Sequence, residues 1–323
     1  MRILVTGATG LLGSNLVRLL LSKNYQVSVF LQIGSFTGSL DGLIIKRYYG
    51  DILNAESLEN AVEQNDVVIH AAAITELWPS RSKFIRDVNI IGTKNVIDAV
   101  LKFNLKRMIY IGSASSFNTT SNADSKFPGA KYGLDYIDSK YEALNLVLNA
   151  VRINKLPALA ILPTFMIGPF DYKPSSGKLI LALAQKKLKY YTDGGKNFIH
   201  VRDVATAIVN SIEMGRIGKY YIAGNENLTY DRFFMKVSKI VRVHPPSKKI
   251  PATLMLIIGF LGSLFGRIFN INPLISYPIA KISCDYQYVS CDDTIKELQM
   301  PQTNIDIAIY ESYEWITKHN NLN

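Results

Sequence analysis

Tyr136 and Lys140 are the residues of this 323-residue chain whose types and spacing point most directly to proton chemistry. They stand four positions apart at the start of a helical pattern, so both side chains lie on one face of the predicted helix. A phenol with a pKa of about 10 is a poor base at neutral pH, but a nearby ammonium group favours the phenolate. The pair therefore predicts proton exchange between Tyr136 and an alcohol or a carbonyl.

The same spacing recurs at Tyr277 and Lys281, so the pair alone is weak evidence. The chain has 18 tyrosines among many basic residues, and such a composition gives a match by chance. The first pair follows a strand-like run that ends in small hydroxyl residues, Gly112-Ser113-Ala114-Ser115-Ser116, and the second pair has no such run before it. We interpret the second pair as structural and the first as the catalytic candidate.

A glycine-rich turn near residue 10 predicts a phosphate-binding site. A strand-like segment runs directly into Gly7, Gly10 and Gly13, and an apolar helix follows. Gly7 permits a tight turn, Gly10 lets the backbone approach a pyrophosphate, and Gly13 allows the helix to pack closely on the sheet. The helix N-terminus adds free N–H groups and a partial positive charge. This arrangement favours a dinucleotide as the ligand.

The elements that position these residues follow from an alternation of short β-branched runs with longer helical patterns, which predicts a parallel sheet. The predicted strands are 2–6, 26–31, 66–70, 107–111 and 157–162, and the predicted helices are 11–23, 83–104 and 136–153. We expect an α/β fold, with a Rossmann-type doubly wound parallel sheet and a smaller, mostly helical C-terminal substrate lobe. A loop rich in Gly and Pro marks the boundary, so the nucleotide-binding domain is predicted at 1–168 and the substrate lobe at 169–323, with residues 198–222 returning to the first domain.

Composition excludes several classes of function. The net charge of +10 is spread along the chain, so we expect no nucleic-acid partner, and dinucleotide phosphates are the simpler anion. Cys284 and Cys291 have no His or Cys at metal-ligand spacing, so we expect neither a disulfide framework nor a metal site. The first residues lack a signal-peptide pattern, which favours a cytoplasmic location.

An uncharged run from Ile250 to Gly266 lies between Lys248-Lys249 and Arg267. Its length is at the lower limit for spanning a bilayer, and it contains Pro and several Gly residues. We interpret it as a helix over the substrate pocket. Weak contact with a membrane surface is the alternative, which the basic flanks support.

The glycine turn, Thr6-Gly7-Ala8-Thr9-Gly10-Leu11-Leu12-Gly13, resembles the Thr-Gly-x-x-Gly-x-x-Gly motif of short-chain dehydrogenases. Four further matches follow in the family's order. Gly50-Asp51-Ile52 resembles the segment that binds adenine, and His70-Ala71-Ala72-Ala73 resembles the run beneath the cofactor. Asn89-x-x-Gly92-Thr93 resembles the helix signature, and Pro163-Thr164 resembles the turn beside the nicotinamide. The chain is thereby identified as a member of the extended short-chain dehydrogenase/reductase class, within the NAD-dependent epimerase/dehydratase superfamily. Its later segments are most similar to the dihydroflavonol-reductase and 3β-hydroxysteroid-dehydrogenase group.

The resemblance implies roles for individual residues. The catalytic set is Ser113, Tyr136 and Lys140, in which the serine hydrogen-bonds the substrate oxygen and the lysine also holds the nicotinamide ribose. Relatives usually carry Ser or Thr where this chain has Gly112, so Ser115 stays open as a substitute for Ser113. The implied cofactor-binding residues are Thr6, Gly7, Thr9, Gly10, Leu11, Leu12, Gly13, Gln32, Asp51, Ile52, Ala71, Ala72, Ala73, Tyr136, Lys140, Pro163 and Thr164.

The end of the second predicted strand bears on the choice between NAD and NADP. NAD-specific enzymes tend to carry a carboxylate there, and relatives in the reductase group often carry Arg at the position of Gln32. This chain has neither, but Gln32 and Ser35 can donate to a phosphate, and the positive net charge favours the more anionic cofactor. We expect both cofactors to bind, with NADP slightly preferred.

Three functions are compatible with these residues. The favoured one is a reductase or dehydrogenase acting on a secondary alcohol and its ketone or aldehyde, and the runner-up is a nucleotide-sugar epimerase or dehydratase that recycles its NAD. A non-catalytic dinucleotide sensor is disfavoured because Tyr136 and Lys140 are both present. His200, in an apolar strand pattern, is interpreted as structural. Aromatic and Met residues in predicted loops suggest a partly apolar small-molecule substrate, although core packing explains them nearly as well: Trp78, Phe117, Phe165, Met166 and Tyr191. Members of the family often form homodimers, so we expect a homodimer here.

Overall fold

The computed structural model describes residues 1–116, 132–172 and 174–319. Its largest element is a parallel sheet of seven strands: β1 (Arg2–Thr6), β2 (Gln26–Gln32), β3 (Lys46–Gly50), β4 (Val67–His70), β5 (Arg107–Ile111), β6 (Ala158–Pro163) and β10 (Tyr220–Ala223). Their spatial order is β10-β6-β5-β4-β1-β2-β3. The order of strands reverses between β1 and β4, and open α/β sheets bind their ligands at such a switch point.

Helices cover both faces of this sheet. One face packs against α1 (Leu11–Ser22), α7 (Val201–Met214) and α11 (Asp292–Leu298). The other face packs against α2 (Ala55–Glu63), α4 (Gly92–Lys102) and α5 (Asp135–Asn154). Strand β4 is buried at every position, as expected when both faces of a sheet are covered. The predicted doubly wound Rossmann-type fold is confirmed.

Two parts of the first half differ from the sequence prediction. The single helix predicted over 83–104 is divided into α3 (Lys83–Arg86), a π-helical turn (Asp87–Ile91) and α4. Within the π-helical turn, the side chain of Asn89 accepts a hydrogen bond from the Ile74 N–H at 2.8 Å and donates to the Ile74 carbonyl at 3.0 Å. Strand β3 and helix α2 were not predicted, because β3 is a partly exposed edge strand that carries Lys, Arg and Tyr instead of an apolar run.

The C-terminal half is mostly helical, with short strands in two small sheets. Strand β9 (Gly195–His200) pairs with β7 (Phe165–Ile167), β11 (Glu226–Thr229) and β13 (Tyr286–Gln287), while β8 (Tyr190–Thr192) pairs with β12 (Lys248–Ile250). The helices are α6 (Gly177–Ala184), α8 (Tyr230–Val241), α9 (Ala252–Ile268), α10 (Tyr277–Ser283) and α12 (Ile305–His319). Within residues 198–222, the last part of β9 lies in one of the small sheets, α7 packs against α1, and β10 joins the large sheet beside β6.

Candidate active site

The glycine turn between β1 and α1 is closed by direct backbone contacts. Gly7 has a φ of +71°, and a Cβ atom there would lie 2.6 Å from the carbonyl carbon of Ala71. A Cβ atom at Gly13 would lie 2.2 Å from the carbonyl oxygen of Gly7. Both positions therefore require glycine. The turn is fixed against the loop after β4 and against the first turn of α1.

The N-terminus of α1 is open to a ligand. Gly10 is exposed, and a Cβ atom there would meet only the Gly7 carbonyl oxygen, at 3.6 Å. No described side chain caps the helix, so the first N–H groups, which have no acceptor within a helix, face outward from Leu11, Leu12 and Gly13. Such an uncapped N-terminus suits a phosphate group, so these residues fit the pyrophosphate of a dinucleotide.

A buried hydrogen-bond chain fixes the end of β4 beside this turn. The Thr6 hydroxyl bonds His70 Nδ1 at 2.8 Å and accepts the Ala72 N–H at 3.1 Å, while His70 Nε2 bonds the Thr93 hydroxyl at 3.0 Å. Burial and, to a smaller extent, the charge of Lys140 lower the pKa of His70 to about 3. His70 is therefore neutral, and it holds the run from Ala71 to Ala73 next to the glycine turn.

Gln32 and Asp51 lie at the same edge of the sheet. Gln32 is the exposed last residue of β2 and pairs in register with Gly50, the residue before Asp51. The Asp51 carboxylate accepts the Leu53 N–H at 2.9 Å and is itself exposed. The structure thus places both residues where parallel strands β2 and β3 end. Ile52 lies farther in, against Gly92 at the start of α4.

Ser113 and Tyr136 meet between the end of β5 and the first turn of α5. Burial raises the pKa of Tyr136, and the Ser113 hydroxyl beside the phenol lowers it by a smaller amount. Ser113 is 7% exposed. Ser115 lies behind it, with its N–H donating to the Ser113 hydroxyl at 3.3 Å. The structure therefore brings Ser113 to the phenol, and Ser115 supports Ser113.

Lys140 lies one helical turn after Tyr136 and is 4% exposed. Its ammonium group donates to the Ile111 carbonyl oxygen at 2.5 Å and lies 4.6 Å from the centre of the Tyr110 ring. Burial lowers the pKa of Lys140 to about 7. The lysine thus joins α5 to the end of β5, and a modest change in its surroundings can change its charge.

Asn89 is a further site residue whose position the sequence did not reveal. Besides its two bonds to Ile74, its side-chain amide donates to the Ser139 hydroxyl at 2.9 Å. Ser139 lies on α5 between Tyr136 and Lys140, so the amide ties the catalytic helix to the loop after β4. The motif around Asn89 was recognised in the sequence, but the π-helical turn that aims its side chain is not visible in a periodic pattern.

The departure from the family pattern at Gly112 has a steric cause. A Cβ atom at this position would lie 2.2 Å from Cδ2 of Leu162, which belongs to the neighbouring strand β6. A serine or threonine there would displace Leu162. A leucine methyl group occupies the space that a side chain at residue 112 would need.

The turn after β6 connects the large sheet to the substrate half. The Thr164 N–H donates to the Ala223 carbonyl at 2.9 Å, and its hydroxyl donates to the side-chain oxygen of Asn197 at 2.9 Å. Next to Asn197, the Lys196 ammonium lies 5.2 Å from the centre of the Phe165 ring, and burial lowers its pKa to about 8. Lys196 was not singled out in the sequence, because a lone lysine in a strand carries no motif.

His200 caps a helix. Its Nδ1 accepts the Arg202 N–H at 3.0 Å at the start of α7, and burial lowers its pKa. Phe117 lies outside the described residues. Among the residues that the structure describes, no three His, Cys, Asp or Glu side chains gather as ligands of a metal ion.

The second Tyr and Lys pair lies on α10, away from the glycine turn. Tyr277 is 40% exposed, and the Lys281 ammonium lies 5.9 Å from the centre of its ring. Both residues line a groove of about 810 Å³ between α9, α10 and residues 80–81 and 132–133. The spacing in the sequence is the same as for the first pair, but the surroundings are those of a surface.

Comparison with known proteins agrees with this geometry. The chain is 28% identical to a Synechocystis sp. protein named "Putative dihydroflavonol 4-reductase", over 98% of this chain and 94% of the relative. It is 27% identical to sterol demethylase protein B of Methylococcus capsulatus, over 98% of both chains. The crystal structure of gox2253 superposes with a TM-score of 0.87 at 28% identity, covering 99% of each chain.

The sequence profile of one family covers most of the chain. The NAD dependent epimerase/dehydratase family matches residues 3–224, a range that includes the glycine turn, Ser113, Tyr136 and Lys140. The match confirms the resemblance that the motifs predicted. The chain belongs to the NAD dependent epimerase/dehydratase family, and it is an NAD(P)-dependent enzyme of the extended short-chain dehydrogenase/reductase class.

Proposed function

We propose that the protein interconverts a secondary alcohol and its ketone, or an aldehyde and its primary alcohol, with Tyr136 as the general acid and base. The observation that carries this proposal is the Ser113 hydroxyl beside the Tyr136 phenol, with Lys140 one turn further along α5. Ser113 follows β5, Ala71 follows β4 and Gly7 follows β1, and these strands are neighbours. Because carboxyl ends of parallel strands meet at one edge of a sheet, the proton-transferring group lies beside the dinucleotide site.

Each residue then has a defined task. The α1 N-terminus and the glycine turn hold the pyrophosphate, and Lys140 donates to the nicotinamide ribose. When bound, the nicotinamide supplies or accepts the hydride. In the reductive direction the Tyr136 hydroxyl donates its proton to the carbonyl oxygen, while the Ser113 hydroxyl donates a hydrogen bond to that oxygen and stabilises its developing charge. In the oxidative direction Tyr136 accepts the alcohol proton.

A substrate panel tests the proposal. Ketones, steroids, aldehydes and nucleotide sugars are each incubated with NADH or NADPH, and the absorbance of the reduced cofactor is followed. Net loss of that absorbance with a carbonyl compound supports the proposal. A panel in which no carbonyl compound or alcohol changes the absorbance contradicts it.

Lys196 favours a second candidate, a nucleotide-sugar epimerase or dehydratase. A mostly buried ammonium beside Phe165 in the substrate half suits an anionic substrate such as a nucleoside diphosphate. Such an enzyme regenerates its cofactor, so sugar composition would change without net loss of NADH. Lys196→Met separates the candidates, because it strongly weakens the binding of an anionic substrate and leaves the KM for an uncharged ketone nearly unchanged.

The choice of cofactor is part of the proposal. Gln32 is exposed at the end of β2 with no carboxylate beside it in the turn 33–35, so we infer that both cofactors bind and that NADP is slightly preferred. Gln32→Arg then strengthens the preference for NADPH by pairing with the 2′-phosphate, and Gln32→Asp reverses it. Parallel fluorescence titrations with NADH and NADPH measure the ratio. A ratio that neither substitution moves would place selectivity elsewhere.

Four further inferences stay proposals. The substrate is partly apolar, which the sterol named in one relative and the Phe165 side chain beside the Thr164 turn support. Light scattering tests whether two copies pair through helices of the nucleotide half. The two halves divide between residues 168 and 169, with residues 198–222 returning to the nucleotide-binding half, and preferential cleavage at this boundary in limited proteolysis would support the division. Cell fractionation tests the predicted cytoplasmic location.

A further inference from the structure

Helix α9 is attached to the protein along one narrow face. Only Met255, Gly259 and Gly266 are buried among its residues. A Cβ atom at Gly259 would lie 2.5 Å from that of Ala280, and one at Gly266 would lie 2.8 Å from the Trp78 ring. The glycines let α9 contact its neighbours by its backbone. The large side chains of the helix are consequently directed away from this face.

The outward side of α9 is apolar. Leu254, Ile258, Phe265 and Phe269 are 48%, 38%, 53% and 62% exposed. They are spaced by three to four residues or a multiple of this, so they form one stripe along the helix. The two phenyl rings stack with centres 6.0 Å apart. A contiguous exposed apolar patch of this kind marks a surface that binds a protein, a membrane or an apolar ligand.

The segment of sequence that contains this stripe is basic. Between Asp231 and Asp285 the sequence contains no acidic residue and eight Lys and Arg residues. Lys248 and Lys249 precede α9 and Arg267 lies in its last turn, and all three are exposed. Lys249 pairs with Asp193 of the β8–β9 turn at 2.8 Å. Both ends of the apolar helix therefore carry positive charge.

We propose that α9 docks flat on the surface of an anionic lipid bilayer, with its apolar stripe in the acyl boundary and its basic ends among the headgroups. The helix has 17 residues and is about 25 Å long at 1.5 Å per residue, which is shorter than the hydrocarbon core of a bilayer. In the described part of the chain, no helix is both long and apolar enough to cross a membrane. A helix that lies in the interface plane buries its apolar face at the boundary between headgroups and acyl chains, and basic residues beside that face add attraction to anionic lipids.

Charge favours the bilayer over a second copy of the chain. A two-fold interface through α9 would use the same patch on both copies and would bring the basic ends of the two helices near each other. Like charges placed together across an interface disfavour that pairing. Anionic headgroups instead neutralise Lys248 and Arg267.

Vesicle flotation of the whole protein tests this proposal. Wild-type protein should float with vesicles of phosphatidylcholine mixed with phosphatidylglycerol, and much less with phosphatidylcholine alone. Phe265→Glu should lower the partition coefficient roughly tenfold or more, because a charge replaces an inserted ring. Ile44→Glu is the matched control, since Ile44 is 94% exposed outside α9 and should leave flotation unchanged.

A second variant separates charge from apolar insertion. Arg267→Glu should lower flotation on the anionic vesicles and remove most of the difference between the two vesicle types. NADH binding and the thermal melting temperature, measured on every variant, establish that each one is folded. Wild-type protein that fails to float, or that binds both vesicle types equally, overturns the proposal. So does a dimer that Phe265→Glu dissociates while wild-type protein ignores vesicles.

Discussion

Two pairs of residues in this chain, Tyr136 with Lys140 and Tyr277 with Lys281, have the same spacing on a helix and very different surroundings. The first tyrosine lies beside a buried serine hydroxyl, and the first lysine donates to a strand-end carbonyl at 2.5 Å. The second tyrosine is 40% exposed and lines a surface groove with its lysine. Burial lowers the pKa of the first lysine to about 7. The strand end against which the helix packs therefore determines which Tyr and Lys pair can transfer a proton, and the spacing of the two side chains alone does not.

The largest expected difference between the pairs is in turnover. Tyr136→Phe removes the proton donor, so kcat should fall by roughly 10²- to 10⁴-fold, while the dissociation constant for NADPH stays close to that of the wild type. Tyr277→Phe should leave both quantities unchanged. Steady-state kinetics with the best substrate of the panel and a fluorescence titration measure them. Loss of activity in the control with retention in Tyr136→Phe would exchange the roles of the two pairs.

The lysines should differ in cofactor affinity. Lys140→Met removes a charged hydrogen-bond donor to the ribose, so the dissociation constant for NADPH should rise by about 10- to 100-fold. Lys281→Met keeps the wild-type constant. Isothermal titration calorimetry with each purified variant gives the comparison. Equal affinities in the two variants would remove Lys140 from the cofactor site.

Ser113 sharpens the comparison because it distinguishes the surroundings of the first tyrosine. Ser113→Ala removes a hydroxyl that lowers the pKa of Tyr136, so kcat should fall by roughly tenfold and the alkaline limb of its pH profile should move upward. Ser115→Ala is the matched control and should retain most activity. If Ser115→Ala shows the larger loss, the catalytic serine is Ser115.

The smallest expected effect is on stability. The folded-state pKa of Lys140 lies at about 7, below the 10.5 of the unfolded chain, so the folded state disfavours the charged form. Between these values the unfolded state binds more protons, and the free energy of unfolding should therefore rise with pH by up to about 1.4 kcal/mol per unit. Below pH 7 this destabilisation is fully present. Urea titrations without cofactor measure the slope.

Two variants isolate the contribution of Lys140 from other titrating groups. Lys196, with a pKa of about 8, contributes a smaller rise of the same sign and is present in both. Lys140→Met should flatten the slope, and Lys281→Met should keep it. Identical slopes in the two variants would show that burial of the Lys140 ammonium does not govern stability in this range.

Much of the fold could be predicted from local patterns. The central strands are buried runs of β-branched residues, and the glycine turn announces the first βα unit, so the parallel sheet was foreseen. Strand β3 was not, because an edge strand such as Lys46–Gly50 is half exposed and need not be apolar. The short strands of the small sheets, such as β8 and β13, owe their pairing to contacts distant in sequence.

The site divides in the same way. Tyr136, Lys140 and the glycines are short motifs whose spacing carries information, and the structure places them around one edge of the sheet. Asn89 acts through a π-helical turn, and Lys196 acts through its burial against Phe165. The motif around Asn89 is visible in the sequence, but neither the helix geometry that places its amide nor the burial of Lys196 leaves a signal in residue spacing. Both had to be known before the contacts of these two side chains could be recognised.

The contact between Gly112 and Leu162 limits how this active site can change by mutation. A side chain at residue 112 requires that the leucine methyl group 2.2 Å from its Cβ position be removed first or at the same time. Leu162→Ala alone leaves a cavity in a fully buried strand, and Gly112→Ser alone creates a clash, so each single step toward the pattern of the relatives is unfavourable. When both substitutions are present, the smaller residue at 162 removes the clash, and the side chain at 112 partly fills the cavity. A lineage that acquired this glycine and leucine would thus keep them, whether or not the glycine improves catalysis.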